Sequence, residues 1–217
     1  MKIAIIGSGI AGLTCAWRLA AQHQVTLFEA ASTPGGHTAT VDIATPQGTW
    51  AIDTGFIVYN DRTYPHFIGL LSELGIRGQK TQMSFSVHNP QSGLEYNGHS
   101  LSSLFAQRRN LLKPAFWGLL REIVRFNRLA KQALGGAFDP AATLQTFLER
   151  HRFSPFFARH YILPMGAAIW SSSLQEMRRF PLALFLRFFD NHGLLDIRQR
   201  PQWYVVPGGS REYVRAL

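Results

Sequence analysis

Residues 2–12 read Lys-Ile-Ala-Ile-Ile-Gly-Ser-Gly-Ile-Ala-Gly, and this stretch decides the fold. The apolar run at residues 2–6 predicts a short strand buried on both faces. The residues from Leu13 to Ala21 are rich in Ala and Leu and predict a helix, and Val25–Glu29 predicts a second strand. We therefore expect an α/β fold that begins with a Rossmann-like strand–turn–helix–strand unit.

The three glycines between the first strand and the helix predict a phosphate-binding turn. Gly7 permits the tight turn, Gly9 lets the backbone approach a pyrophosphate, and Gly12 lets helix and strand pack closely. Ile10 and Ala11 lie within this turn and are included in the predicted cofactor site. The N-terminus of the helix that follows offers unpaired N–H groups and a partial positive charge to phosphate. The alternative is a glycine-rich turn that binds no ligand.

An acidic residue stands where such folds bind ribose. Glu29 lies 22 residues after Gly7, at the end of the second predicted strand, where its carboxylate can bond ribose hydroxyls. A negative charge there disfavours a 2′-phosphate, so NADP is not the expected ligand. Ala30 follows in the same loop and is included in the predicted cofactor site.

A second glycine pair distinguishes flavin from nicotinamide. Gly35 and Gly36 begin the run Gly-Gly-His37-Thr38, and the stretch from Gly7 to Gly36 resembles the N-terminal fingerprint of FAD-dependent two-dinucleotide-binding-domain flavoproteins. The resemblance implies that this second loop also contacts FAD; the alternative is a loop that only needs positive φ. A short-chain dehydrogenase is disfavoured, because none of the four lysines follows a tyrosine by four residues.

The whole chain resembles part of the flavin-containing amine oxidase and phytoene desaturase superfamily, in its bacterial branch of NAD/FAD-binding proteins. The segments that carry the resemblance are residues 35–38, 53–60, 165–170 and 207–210. It implies an FAD-dependent oxidoreductase that removes hydride from an apolar or amine-bearing small molecule, including a lipid-like one. It also implies that Thr54, Gly55 and Phe56 lie beside the isoalloxazine, with Asp53 capping a turn as the alternative. Amine oxidases usually have Arg where this chain has His37, which weakens the case for amine oxidation.

The pattern of elements predicts three segments: residues 1–75 as the FAD-binding region, 76–200 as a mainly helical substrate region, and 201–217 as a return to the first. Hairpins are expected at 38–52 and 83–96, helices at 63–74, 101–106, 115–134, 141–151, 155–170 and 181–191, and a strand at 203–206. Relatives are about twice as long, and the chain stops seven residues into its final helix, so an incomplete fold is expected. A non-catalytic dinucleotide-binding fragment, or a basic membrane-associated module without cofactor, remains an alternative.

Composition excludes several classes. A single cysteine cannot form a disulfide framework or a cysteine-based metal site, and the histidines lack metal-ligand spacing. No apolar run approaches membrane-spanning length and no signal peptide is evident, so cytoplasmic localisation is expected. The catalytic residues and the oligomeric state are not indicated by any motif.

The net charge of +9 comes from the second part of the chain, since residues 1–100 hold 5 basic and 6 acidic residues. The basic residues are scattered, and no nucleic-acid partner is expected. In the predicted helix 115–131, Arg121, Arg125 and Arg128 are spaced to share one face opposite apolar residues. Such a helix can lie on an anionic bilayer, but the favoured interpretation is a helix packed on its apolar side with its arginines in water.

Overall fold

The computed structural model describes residues 1–197 and 200–217. The chain is divided into two compact units. The first unit comprises Met1–Gln82 and Pro201–Leu217, and the second comprises Met83–Arg200. The sequence placed the first boundary after residue 75. The chain stays in the first unit as far as Gln82 because a strand at 79–81 pairs with one near residue 204.

The elements of the chain run in the following order. From the N-terminus they are β1 (Lys2–Ile6), α1 (Ile10–Ala20), β2 (Gln24–Phe28), β3 (Thr40–Thr45), β4 (Gly48–Asp53), β5 (Tyr59–Asn60), α2 (Pro65–Glu73), β6 (Gln79–Thr81), β7 (Ser86–Asn89), β8 (Leu94–Asn97) and α3 (Leu101–Leu104). A 3-10 turn (Arg108–Leu112), α4 (Pro114–Leu134), α5 (Leu144–Arg150), α6 (Pro155–Phe157), a π-helical turn (Ala158–Ile162), α7 (Leu163–Trp170), α8 (Leu174–Arg178), α9 (Leu182–Asn191), β9 (Trp203–Val205) and α10 (Arg211–Ala216) follow.

Unit 1 contains three small sheets. β1 and β2 pair in parallel, β3 and β4 form an antiparallel hairpin, and β9 lies between β5 and β6. The expectation that β1 is buried on both faces is wrong: its residues alternate between half-buried and exposed, and Ile6 is exposed. The reason is that, among the described residues, β2 is its one partner strand and α1 packs against it.

Unit 2 is a hairpin, β7–β8, and a set of helices around an aromatic core. α4 buries Phe116, Leu119 and Phe126 on one stripe, and α9 buries Phe185 and Phe189 on another. Apolar residues at helical spacing predicted both helices to within one residue at each end. Burial of these stripes against each other is the main favourable term that holds the unit together.

The helix predicted at 155–170 is divided by a π-helical turn at Ala158–Ile162. Pro164 has no N–H, so the carbonyl of His160 loses the partner that a regular helix would give it. The hydroxyl of Tyr96 donates to that carbonyl at 2.7 Å instead, in a buried position. The wider turn therefore connects the helical segment to the hairpin.

α8 was missed by the sequence interpretation, although its start carries a recognisable signal. The Ser173 side chain accepts from the Glu176 amide, and the Glu176 carboxylate accepts from the Ser173 amide. This reciprocal pair is a capping box.

Among the described residues, no helix is both long and apolar enough to cross a membrane.

Candidate functional site

The glycine turn between β1 and α1 has two kinds of glycine. A Cβ on Gly12 would lie 1.9 Å from the Gly7 carbonyl oxygen, and Gly7 itself has a φ of 91°. Gly9 has an ordinary extended backbone, and a Cβ there would meet nothing within 4 Å. Packing and backbone geometry therefore require Gly7 and Gly12, whereas Gly9 leaves open space in front of the turn.

The N-terminus of α1 faces that space without a side-chain cap. Gly9 is the N-cap residue, and no side chain accepts from the first amides of the helix. Ile10, Ala11 and Gly12 supply these amides, which have no partner within the helix. Together with the helix dipole they make a site that favours a phosphate or another anion.

Glu29 holds the glycine turn from the end of β2. Its Oε1 accepts from the Ala31 amide at 2.8 Å, and its Oε2 accepts from the Ser8 amide at 2.8 Å and from the Ser8 hydroxyl at 2.5 Å. These bonds, from the Ala31 amide first and then from Ser8, lower the pKa of Glu29 to about 2. The carboxylate is solvent-exposed, as is Ala30, and each of its oxygens can accept further bonds. The ribose contact stays a prediction.

The second glycine pair lies directly against the first turn. The Gly35 amide donates to the Ser8 carbonyl at 2.9 Å, and Gly9 and Gly35 form a parallel bridge. Gly36 has a φ of 58°, and a Cβ there would lie 3.2 Å from the Gly9 Cα. The structure thus brings together the two glycine motifs that are 23 residues or more apart in sequence.

The residues after the glycine pair connect this loop to the end of β4. His37 is exposed, and its carbonyl accepts from the Phe56 amide at 3.2 Å. A Cβ on Gly55 would lie 2.0 Å from that same carbonyl oxygen, so Gly55 is required by the close approach of two backbone segments. Thr54 is exposed and its amide donates to Ala39, and the buried Thr38 hydroxyl lies 3.1 Å from the Tyr213 hydroxyl.

The Asp53 carboxylate links the end of β4 to Thr40 and Ser210. Its Oδ1 accepts from the Thr40 hydroxyl at 2.7 Å and from both the amide and the hydroxyl of Ser210 at 2.8 Å. These donors are distant in the sequence and do not belong to the turn at residues 53–56, so whether Asp53 caps that turn or lies beside a flavin stays a prediction. Ser8 and Ser210 were not singled out as functional residues, because only the fold brings them to their carboxylate partners.

Gly166, in the segment 165–170 that carries part of the sequence resemblance, is required by side-chain packing. A Cβ on Gly166 would lie 2.6 Å from the Met177 Sδ and 3.1 Å from a ring carbon of Phe185. Trp170 packs on Phe180 and Phe188 with ring centroids 4.5 and 4.8 Å apart. Met177 and Phe185 belong to the core of unit 2, and Trp170, Phe180 and Phe188 pack against it.

A separate open cavity of about 560 Å³ lies in unit 1, between α2 and the sheet of β5, β9 and β6. None of the predicted cofactor residues lines it; its walls are Tyr59, Asp61, Ile68, Leu71, Ser72, Gly75, Ile76, Arg77, Gly78 and Tyr204.

In the part of the chain that the structure describes, no three His, Cys, Asp or Glu residues are grouped as metal ligands.

Comparison with known proteins defines the class of this first region. Residues 5–74 match the family model of the NAD(P)-binding Rossmann-like domain. The match contains the first glycine turn, Glu29, the second glycine pair and Asp53–Phe56. Residues 5–74 of unit 1 thus have a Rossmann-like fold, and the α/β, Rossmann-like fold class predicted from sequence is confirmed.

Solved structures extend the likeness over both units. The chain is similar to putrescine oxidase solved with putrescine, with a TM-score of 0.62, 19% identity, and 100% of this chain and 48% of that chain covered. It is similar to cyclohexylamine oxidase from Brevibacterium oxydans IH-35A, with a TM-score of 0.66, 20% identity, and 99% and 48% covered. For a fatty acid isomerase from P. acnes the TM-score is 0.55, the identity 15%, and the coverage 98% and 48%.

The chain thus has the fold of the amine oxidases over about half of their length. The resemblance stated from the sequence is confirmed at this level. Identities of 20% or less establish the fold and leave the ligand and the reaction to be argued from this chain's own residues.

Proposed function

We propose that unit 1 binds FAD and that the chain is the flavin-binding part of an oxidoreductase. The observation that carries the proposal is the open space at Gly9. It lies before an uncapped helix N-terminus and is flanked by the second glycine pair. A pyrophosphate fits this arrangement, because the glycines remove side chains from its approach and the amides of α1 supply hydrogen bonds.

FAD is preferred to a nicotinamide dinucleotide because of the second loop. Gly35 and Gly36 stand beside Gly9, so the backbone around the open space comes from two segments of the chain. The sequence resemblance associates that paired arrangement with flavoproteins. Glu29, whose lowered pKa keeps it ionised, disfavours a 2′-phosphate by charge repulsion.

The reaction class is hydride removal from an apolar or amine-bearing small molecule. A bound flavin would supply the hydride-accepting chemistry, and the protein would supply binding, orientation and exclusion of water. The support for the substrate class comes from the fold shared with putrescine oxidase, cyclohexylamine oxidase and a fatty acid isomerase. Since the chain spans 48% of each of these, the whole reaction is a proposal and not a property shown for this chain.

A matched pair of glycine variants tests the cofactor. Gly9→Val places a side chain in the open space, whereas Gly69→Val places one in equally open space on α2 of the same unit. We expect the unaltered chain and Gly69→Val to bind added FAD in a calorimetric titration and to show flavin absorbance. Gly9→Val should lose that binding while its circular dichroism stays unchanged.

Three results would contradict the proposal. The first is an unaltered chain that binds neither FAD nor any other dinucleotide. The second is a chain that binds NADH and does not bind FAD. This result would agree with a dinucleotide site at the glycine turn but would contradict the assignment of FAD as its ligand. The third is equal FAD binding by Gly9→Val, which would place the ligand elsewhere.

A further inference from the structure

The segment from α3 to α4 exposes more apolar surface than a helix packed on a core requires. Leu101 is 77% exposed, Leu112 is 87% exposed and Trp117 is 50% exposed, and Leu111 and Val124 are also exposed. We call these five side chains the Leu–Trp patch. Single exposed apolar residues are common on protein surfaces, but a group of them on one segment is typical of a surface that binds a membrane or another molecule.

Hydrogen bonds and a ring contact fix the backbone segments that carry Leu101, Leu111 and Trp117 to one another. The indole N–H of Trp117 donates to the Leu111 carbonyl at 2.9 Å, which fixes the 3-10 turn to the first turns of α4. The Phe105 ring lies 5.3 Å from the Trp117 ring, and the Phe105 amide donates to the Leu101 carbonyl. The α3 segment, the 3-10 turn and the start of α4 are therefore held together within unit 2.

Basic side chains surround the patch. Residues 101–131 hold seven Lys and Arg and a single acid, Glu122. The Glu122 carboxylate accepts from the amide and hydroxyl of Ser154, at 2.7 and 2.5 Å, and so is directed at the protein. The segment therefore presents an excess of positive charge to its surroundings.

Three of the seven cations are engaged by the protein itself. Arg109 donates to the Gly93 carbonyl, and Lys131 pairs with Asp196. Arg125 donates to the His151 carbonyl, and its guanidinium lies 4.6 Å from the centre of the Phe153 ring. The expectation that Arg125 shares a solvent face with its neighbours is therefore wrong, because that side chain is held against the core.

The remaining cations alternate with the apolar residues. On α4, Trp117, Arg121, Val124 and Arg128 are all exposed and follow one another at spacings of four, three and four, which places them on one helix face. Arg108 lies three residues before Leu111, and Lys113 directly follows Leu112. In residues 1–197 and 200–217, none of Arg108, Lys113, Arg121 and Arg128 has an ion-pair partner.

We propose that the Leu–Trp patch and these four cations dock unit 2 on an anionic lipid bilayer. Leucines of this exposure can enter the boundary between headgroups and acyl chains, and tryptophan favours the same depth. Lysine and arginine beside them bind lipid phosphates. A nucleic acid would use the cations but not the two leucines, and a second copy of the chain would bring like charges together.

Vesicle sedimentation with matched variants tests the proposal. We expect the full chain to sediment with vesicles of phosphatidylglycerol and phosphatidylcholine at low salt, and to be released by high salt. Leu101→Ser with Leu112→Ser should weaken binding at least about tenfold, because the leucines no longer insert. The control is Leu184→Ser, which changes a 54% exposed leucine of α9 and should bind as the unaltered chain does.

The cations are tested in the same way. Arg121→Gln with Arg128→Gln should weaken binding by roughly fivefold for each charge, from the usual attraction of a basic residue to an anionic membrane surface. The control pair is Arg178→Gln with Arg179→Gln, which removes two exposed charges of unit 2 at and beside α8. This control should lose clearly less binding.

Several outcomes would overturn the proposal. One is no sedimentation with anionic vesicles at low salt by a chain whose circular dichroism shows it to be folded. Another is equal binding by the leucine variant and its control, which would mean simple charge adsorption. Binding to an oligonucleotide that outcompetes the vesicles and ignores the leucine changes would identify a nucleic-acid surface instead. None of these measurements depends on FAD, so the membrane proposal and the proposed function fail separately.

Discussion

The two units are stabilised in different ways. The core of unit 2 contains twenty-one buried apolar residues in one cluster, rich in phenylalanine, whereas the corresponding cluster of unit 1 has four. Unit 1 instead relies on close backbone contacts at glycines and on carboxylates that accept several hydrogen bonds. Side-chain volume therefore determines the shape of unit 2, and backbone geometry determines the shape of unit 1.

The largest expected effect is the loss of a core ring in unit 2. Phe126 is fully buried, with the rings of Phe147, Phe153 and Phe157 each 5.7 Å away. Phe126→Ala should lower the free energy of unfolding by ~3–5 kcal/mol, because it removes apolar burial and leaves a cavity. Urea unfolding measures this, and Leu184→Ala, at an exposed position, should stay within ~0.5 kcal/mol of the unaltered protein. A small loss in Phe126→Ala would show that unit 2 is not held by packing.

A smaller effect is expected when one methyl group is added to the glycine turn of unit 1. In Gly12→Ala the new Cβ would collide with the Gly7 carbonyl, which is backbone and cannot rotate away. We expect a loss of ~1–3 kcal/mol, as for other overpacked sites. Gly69→Ala adds the same methyl group to open space within α2 and should be neutral or gain up to ~1 kcal/mol. If the two variants have equal unfolding free energies, the backbone contact is not what positions the turn.

The smallest effect concerns pH. The bonds from Ala31 and Ser8 lower the pKa of Glu29 from 4.5 to about 2. A carboxylate whose pKa is lower in the folded state stabilises the fold above its unfolded pKa, and this contribution is lost as the pH falls from about 5 towards 2. Unfolding midpoints measured across this range should therefore fall less in Glu29→Gln than in the unaltered chain. Identical pH profiles would mean that Glu29 does not hold the turn.

The sequence alone predicted those elements whose structure is determined by a local pattern of residues. Three glycines after an apolar run predicted β1, the turn and α1, because each glycine has a specific steric role there. The apolar periodicity of α4 and α9 predicted helices that the structure contains to within one residue. That β2 is the one partner of β1 among residues 1–197 and 200–217 could not be predicted, since the sequence of a strand does not tell which other strands pair with it.

The structural features that the sequence did not predict were missed for two different reasons, according to whether they depend on distant or on neighbouring residues. β5 and β6 are two and three residues long and exist only through pairing with β9, so no local pattern marks them. The bonds of Asp53 to Ser210 join positions 157 residues apart, which is beyond any spacing rule. The π-helical turn was missed, although Pro164 removes a hydrogen bond of the regular helix there. α8 was missed, although Ser173 and Glu176 have the residue types and spacing of a capping box.

The central position of β9 has a consequence for how the protein is synthesised. Gln202, next to β9, bonds a carbonyl of β6 that was made 121 residues earlier. At ribosomal rates of about 5–20 residues per second, β6 waits roughly 6–24 s for β9, and β5 waits longer. All of unit 2 leaves the ribosome in that interval as one continuous segment, so it can fold while unit 1 still has open strand edges. The order of synthesis therefore allows the helical unit to fold before the sheet of β5, β9 and β6 in unit 1 is complete.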